Sequence, residues 1–154
     1  DDYLFGPLQQ NYALELLLGG AKYGGKTQFG VIFSFLETCR LIKFCGLLPS
    51  HRAPVIGFMG RKVAKDFTET TLESWFATIP PAFYKAAGKP VVIEVLKSAK
   101  ILTGGLDRSE DVSKFNSAQL AFIFVDQAEE TTRSDVMALR TAAATIPARR
   151  SARS

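Results

Sequence analysis

The sequence predicts an α/β fold of three layers around a mostly parallel central sheet. Short apolar runs rich in β-branched residues alternate along the chain with longer segments of helical periodicity. The run Gln119–Asp126 is apolar almost throughout and ends in an acid, as is typical of a central parallel strand covered on both faces. With 154 residues, of which 47% are hydrophobic and 22% charged, the chain fits one globular domain with a substantial core.

The first third of the chain predicts a strand, a helix and a second strand. Tyr12–Leu18 is a short apolar run that ends in two glycines, which predicts a buried strand. Gln28–Cys45 is apolar on nearly every side, and its length predicts a buried helix rather than a strand. "GLLPSHRAP" indicates a loop, and Pro54–Gly60 predicts the next strand.

The middle of the chain changes its period and then returns to strands. In Arg61–Ile79 apolar residues recur at helical spacing with charged residues between them, which predicts an amphipathic helix that ends at two prolines. "PVVIEVL" and "KILTGG" predict a hairpin, and "LDRSEDVSKFNSA" a loop. Residues 142–154 contain few large apolar side chains, so we expect a disordered or foreign tail after a domain spanning 1–141.

Composition argues against several functional classes. No run approaches the ~20 apolar residues of a membrane-spanning helix. Two cysteines, Cys39 and Cys45, are too few for a disulfide framework, and the single His51 lies in a polar loop without zinc-ligand spacing. The net charge of +4 permits a polyanionic partner without requiring one.

The glycine-rich segment before the predicted long helix fits the phosphate-binding pattern G-x-x-x-x-G-K-[ST]. Its glycines permit positive φ angles and a close approach of backbone N–H groups to phosphate oxygens. Lys26 offers a charge to the β- and γ-phosphates, Thr27 offers a hydroxyl to Mg²⁺, and the helix N-terminus adds positive potential. The predicted ATP-binding residues are Gly20, Ala21, Lys22, Tyr23, Gly24, Gly25, Lys26 and Thr27.

A nucleotide site of this kind needs an acid at the end of a neighbouring strand to hold the Mg²⁺ shell, and Asp126 occupies that position. The strand candidates between Thr27 and Asp126 favour the RecA-like (ASCE) branch of P-loop ATPases, in which a glutamate near the acid polarises the attacking water. Here Gln127 follows Asp126, and Glu129 and Glu130 come next. We favour Glu129 as the catalytic base and keep Glu130 as the alternative; a binding protein without hydrolysis also fits Gln127.

Three stretches together resemble the large terminase subunits of tailed double-stranded DNA bacteriophages, the ATPases of the DNA-packaging motor. They are "GGAKYGGKT", "FMGRKVAKDFTETTLESWFATIP" and "ILTGGLDRSEDVSKFNSAQLAFIFVDQAEE". The similarity covers roughly residues 6–140. It implies a P-loop ATPase domain, and Arg61 matches a recurrent arginine of the family.

The resemblance also implies further residue roles and partners. A glutamine after Pro7 would contact adenine, and we choose Gln9 over Gln10. Lys22 stands where the family often carries a basic trigger residue for the γ-phosphate; a solvent-facing loop lysine is the alternative. The implied partners are double-stranded DNA, the portal protein and the small terminase subunit. The implied setting is the host bacterial cytoplasm, with a homo-oligomeric ring docked transiently on the procapsid portal.

The chain departs from the family after the Asp126 strand. A coupling motif rich in Thr and Ser is not evident, and the sequence has no acidic cluster typical of a two-metal nuclease. We therefore expect the front part of the ATPase domain, truncated at its C-terminus and without the nuclease domain. The alternatives are another nucleic-acid ATPase, similar to helicases or recombinases, and a nucleotide-binding assembly module without hydrolysis.

Overall fold

The computed structural model describes residues 25–107 and 120–143 of the chain. The predicted first strand, Tyr12–Leu18, and the glycine-rich loop up to Gly24 lie outside these residues, as do most of the predicted polar loop and the segment after Ala143.

Within the described residues the fold is α/β with one mixed, mostly parallel sheet of five strands. The spatial order of the strands is β2-β3-β4-β1-β5. β1 pairs in parallel with β4 and β5, whereas β3 is antiparallel to both β2 and β4, so four strands point one way and β3 the other. The strands are β1 (Val55–Arg61), β2 (Tyr84–Ala87), β3 (Val92–Val95), β4 (Ala99–Gly105) and β5 (Phe122–Val125).

The predicted helices form, and one of them has an unexpected interruption. α1 spans Lys26–Cys45 and ends at Gly46 in the left-handed conformation. After β1, α2 (Ala64–Asp66), a π-helical stretch (Phe67–Leu72) and α3 (Glu73–Thr78) follow without a break. We call residues 64–78 the interrupted helix. Its end before Pro80 and Pro81 agrees with the prediction, but the period of the sequence did not indicate the π-helical stretch.

The predicted hairpin is confirmed as β3 and β4, which pair from Val92↔Leu102 to Val95↔Ala99. Its turn is closed by the Ser98 amide, which donates to the Val95 carbonyl at 3.0 Å. Leu96 and Lys97, between them, have φ angles of 52° and 57°. Such angles suit the right-handed twist of a hairpin but are unfavourable for residues with a Cβ. β2, which extends this hairpin to a third strand, was not predicted.

Two cores lie on opposite faces of the sheet, which gives the molecule its layers. Neighbouring residues of β1 point to opposite faces, so Met59 belongs to one core and Phe58 to the other. The first core also contains Val31 of α1 and Trp75 of α3. The second core contains Leu139 of α4 (Arg133–Ala142), so α4 covers the other face.

The prediction of a buried helix holds for one side of α1 only. Its sheet-facing side, including Val31 and Leu41, is buried, but a second set of large apolar side chains remains about two-fifths or more exposed. Helices are buried on the stripe that meets a neighbour, and the described elements cover only one stripe of α1. The exposed set is Phe29, Ile32, Phe33, Leu36 and Phe44.

β5 stands at the edge of the described sheet rather than at its centre. The Ala121 amide donates to the Ile56 carbonyl of β1, while the neighbouring Leu120 amide donates to the Ala142 carbonyl at 3.1 Å. Successive amides of an extended chain point to opposite edges, so the Leu120 amide points away from β1. On that side Leu120, just before β5, forms a parallel bridge with Ala143, just after α4. Ala142, the first residue of the predicted tail, is buried at the end of α4.

No helix among the described residues is both long enough and apolar enough to cross a membrane.

Candidate functional site

The N-terminus of α1 carries the described end of the glycine-rich segment. Gly25 caps the helix with φ 70° and ψ 10°, a left-handed conformation that glycine adopts at low cost. Its carbonyl accepts a hydrogen bond from the Phe29 amide at 2.8 Å. Lys26 and Thr27 are thus the first residues of a 20-residue helix. The first amides of a helix point outward without intrahelical partners, which makes this end suited to an anion.

Asp126 lies beside Thr27, although the two residues are 99 positions apart in the chain. The Thr27 hydroxyl donates to Asp126 Oδ2 at 2.9 Å. The Gln127 backbone amide donates to the other oxygen, Oδ1, at 3.0 Å. Asp126 is only 5% exposed, so these hydrogen bonds replace the water that a carboxylate would otherwise bind.

A glycine inside α1 allows this approach between helix and strand. A Cβ placed on Gly30 would lie 1.9 Å from Cζ of Phe124, so a side chain at this position would force the Phe124 ring or α1 to move. Gly30 follows Thr27 by one helical turn, and Phe124 precedes Asp126 by two residues. The close packing of this pair therefore brings the hydroxyl of α1 to the carboxylate at the end of β5.

A second hydroxyl, which sequence reasoning missed, contacts the same carboxylate. Thr71 donates to Asp126 Oδ2 at 2.7 Å and is completely buried. It lies in the π-helical stretch, whose i→i+5 hydrogen bonds bring Phe67 and Leu72 toward one face of the helix. In a regular α-helix these two side chains would lie about 140° apart around the helix axis. A threonine within a helix has no sequence signature for such a contact.

Arg61, at the end of β1, clamps Glu130. Its Nε and Nη2 atoms donate to the two carboxylate oxygens of Glu130 at 3.0 and 2.7 Å, a bidentate pair. Nη1 of Arg61 also donates to Thr70 at 3.3 Å. The hydrogen bonds from Arg61 lower the pKa of Glu130 below its ordinary value. Both Glu130 oxygens are thus engaged, which makes this carboxylate a poor acceptor for a further proton.

Glu129 has a different environment from Glu130. Both lie in a single 3₁₀ turn, Ala128–Glu130, which follows Gln127 in the left-handed conformation. Glu129 is exposed, and its side chain forms no hydrogen bond or ion pair within the described part of the chain. Of the two glutamates predicted as a base, Glu129 is therefore the one whose carboxylate is not already engaged.

The structure brings together only part of the predicted site. Thr27 and Asp126 meet directly, and Lys26 adjoins Thr27. Glu129 and Glu130 lie in the turn that follows Asp126. The remaining predicted ATP-binding residues lie outside the described part of the chain: Gln9, Gly20, Ala21, Lys22, Tyr23 and Gly24.

Among the described residues, Thr27 and Asp126 are side chains that could contribute to a Mg²⁺ shell completed by phosphates and water. In residues 25–107 and 120–143 no group of three or more His, Cys, Asp or Glu side chains could hold a metal ion. Mg²⁺ commonly takes one or two carboxylates and completes its shell with substrate phosphates and water. One buried carboxylate, Asp126, beside one hydroxyl, Thr27, at a helix N-terminus is such a donor set.

No protein-family model, curated protein or solved structure matches this chain.

Proposed function

We propose that the chain binds ATP with Mg²⁺ and hydrolyses it, as the ATPase part of a large terminase subunit in a double-stranded DNA packaging motor. The observation that carries the nucleotide site is the 2.9 Å hydrogen bond between Thr27 and Asp126. The glycine-rich pattern predicts Thr27, and the apolar strand ending in an acid predicts Asp126, as contributors to one metal shell. The packaging assignment, with its portal and small-subunit partners, rests on the resemblance of the three sequence stretches.

In this proposal each residue has a distinct task. Lys26 and the amides at the start of α1 bind the β- and γ-phosphates. Thr27 and Asp126 would hold Mg²⁺ with its water shell, and the bound ion would supply positive charge close to the phosphates. Glu129 orients the attacking water and accepts its proton, because Arg61 occupies both oxygens of Glu130.

The binding site is tested by equilibrium titration of the full chain with a labelled ATP analogue in the presence of Mg²⁺. Lys26→Ala should abolish binding, since its ammonium group offsets phosphate charge at the helix N-terminus. Lys43→Ala is a matched control, because Lys43 is exposed in the last turn of the same helix. Unchanged affinity in Lys26→Ala would refute the site.

Hydrolysis is tested separately by phosphate release from Glu129→Gln and Glu130→Gln. A general base contributes roughly 10²- to 10⁴-fold, so Glu129→Gln should lose that factor in rate while it keeps its affinity for nucleotide. Glu130→Gln should keep a rate closer to wild type. The opposite ranking would make Glu130 the base and Arg61 a clamp that must open during turnover.

A second candidate is a nucleotide-binding module that does not hydrolyse ATP. Two observations favour it: Gln127 directly follows Asp126, and Arg61 holds both oxygens of Glu130. Tight binding of the analogue by the wild-type chain, without phosphate release in the presence or absence of double-stranded DNA, would select this function. Release that DNA accelerates without any portal or capsid would instead favour a helicase-like or recombinase-like ATPase.

A further inference from the structure

We infer that Thr71 is a positioning residue of the metal site, a role that rests on the nucleotide and Mg²⁺ binding proposed above. Thr71 belongs to the interrupted helix, which is a different element from the glycine-rich segment and β5. It would act on the metal through Asp126 rather than by touching the ion or the nucleotide.

The contact geometry supports this assignment. The hydroxyls of Thr71 and Thr27 both donate to Asp126 Oδ2, at 2.7 and 2.9 Å, while the Gln127 amide donates to Oδ1. Three donors from three parts of the chain thereby determine the orientation of the carboxylate. Such partners of a metal-binding carboxylate hold it in the direction that the ion requires.

The two hydroxyls differ in what they can do when the ion binds. Thr27 stands at the N-terminus of α1, where its oxygen can turn a lone pair to Mg²⁺ while its hydrogen remains on Asp126. Thr71 is 0% exposed within the helix layer, so its hydrogen bond does not depend on ligand entry. Thr71 therefore holds Asp126 in place before and after binding, and Thr27 is available to the metal.

The local backbone supports a role beyond packing. The π-helical stretch Phe67–Leu72 interrupts an otherwise α-helical segment, and such interruptions occur frequently at functional sites. It buries Phe67 and Leu72 in the core and at the same time places the adjacent Thr71 on the carboxylate. An apolar residue at position 71 would satisfy the packing alone, but it would leave Asp126 Oδ2 with one donor fewer.

The test compares Thr71→Val, which removes the hydroxyl at similar size, with Thr71→Ser, which retains it. A labelled ATP analogue is titrated into the full chain over a series of Mg²⁺ concentrations and also in EDTA. Thr71→Val should raise the half-saturating Mg²⁺ concentration about tenfold, as loss of a partner of a metal ligand commonly does. Thr71→Ser should restore the wild-type value, and binding in EDTA should be the same in all variants.

Thr68→Val is the matched control, because Thr68 is exposed in the same π-helical stretch and donates only to the Ala64 carbonyl. A Thr71→Val chain with the wild-type Mg²⁺ dependence would overturn the role of Thr71 alone. Equal shifts in Thr71→Val and Thr71→Ser would also overturn it. So would a loss of affinity in Thr71→Val, relative to wild type, that is as large in EDTA as in Mg²⁺. A wild-type chain that binds no nucleotide would overturn the proposed function as well.

Urea denaturation of each variant separates folding from metal binding, and Thr71→Ala is a second variant without the hydroxyl. If Thr71→Val does not fold and Thr71→Ala does, Thr71→Ala should show the same raised Mg²⁺ requirement. Failure of both variants to fold would make Thr71 a residue of stability and overturn its role as a positioning residue.

Discussion

Gly30 offers the sharpest test of how α1 is held on the sheet, because two effects of opposite sign meet there. Alanine is about 1 kcal/mol more favourable than glycine inside a helix, so Gly30→Ala should stabilise the protein if helix propensity alone decided. The structure predicts the reverse. A Cβ at this position would lie 1.9 Å from Cζ of Phe124, where carbon atoms normally keep about 3.5–4.0 Å.

The size of the effect follows from that overlap. Relieving it requires a displacement of more than about 1.5 Å by either the Phe124 ring or α1, and overpacking of this kind costs about 1–3 kcal/mol. After the gain from helix propensity is subtracted, we expect Gly30→Ala to lower the free energy of unfolding by about 1 kcal/mol. For a chain of this length that corresponds to a fall in Tm of about 2–4 °C.

A double-mutant cycle identifies the cause. Phe124→Ala removes the ring, so adding Gly30→Ala to it should stabilise the protein by about 1 kcal/mol. The effect of Gly30→Ala on the free energy of unfolding should therefore change sign between the chain with Phe124 and the chain with Ala at that position. Urea unfolding followed by circular dichroism measures all four chains, and Gln28→Ala, at an exposed position of α1, is the control.

Two results would refute the reasoning. Gly30→Ala could stabilise the otherwise unchanged chain by the full helix-propensity gain, which would mean that the Phe124 ring does not oppose a Cβ at this position. Its effect could also be the same with and without the Phe124 ring, which would remove the contact as the cause. Either result would remove the structural reason for the meeting of Thr27 and Asp126.

Two further predictions concern elements outside the site. Replacing Leu96 by Asn and Lys97 by Gly should stabilise the protein by about 1–2 kcal/mol, measured by urea denaturation, because both positions have positive φ angles. Asp135→Asn should destabilise it by about 1 kcal/mol, because Asp135 forms a capping box with Thr132 and a 2.8 Å ion pair with Lys62. Burial by itself would raise the pKa of Asp135, but the hydrogen bonds from Lys62 and Thr132 outweigh burial and leave that pKa below its ordinary value. This contribution is therefore present above the ordinary pKa of an aspartate and is lost as the pH falls through the lowered pKa, so unfolding curves of the two chains measured from neutral to acid pH should converge.

The local elements followed closely from short-range patterns. Helix α1, strand β1, the β3–β4 hairpin and strand β5 all lie where periodicity, glycine and proline placed them. The predicted parallel character also holds, because β1 pairs in parallel with β4 and β5. These features depend on each residue's preference for backbone conformation and on which side chains must leave water, and both can be read along the chain.

The motifs for the site could likewise be recognised as separate pieces. The pattern ending in Lys26 and Thr27 and the strand ending in Asp126 were each visible, with nothing in the sequence to measure the distance between them. The exposed stripe of α1 could not be foreseen either, because burial depends on which elements pack beside a helix rather than on how apolar it is.

What the sequence determined by itself was the order of the elements and the chemical type of the groups at their ends. The tertiary structure alone decided which groups touch: Thr71 on Asp126, and Arg61 on Glu130 rather than Glu129. These contacts join residues 55 and 69 positions apart. The contact of Thr71 depends on the π-helical register, and both contacts depend on the close packing of the layers. These features arise only when the whole core packs at once.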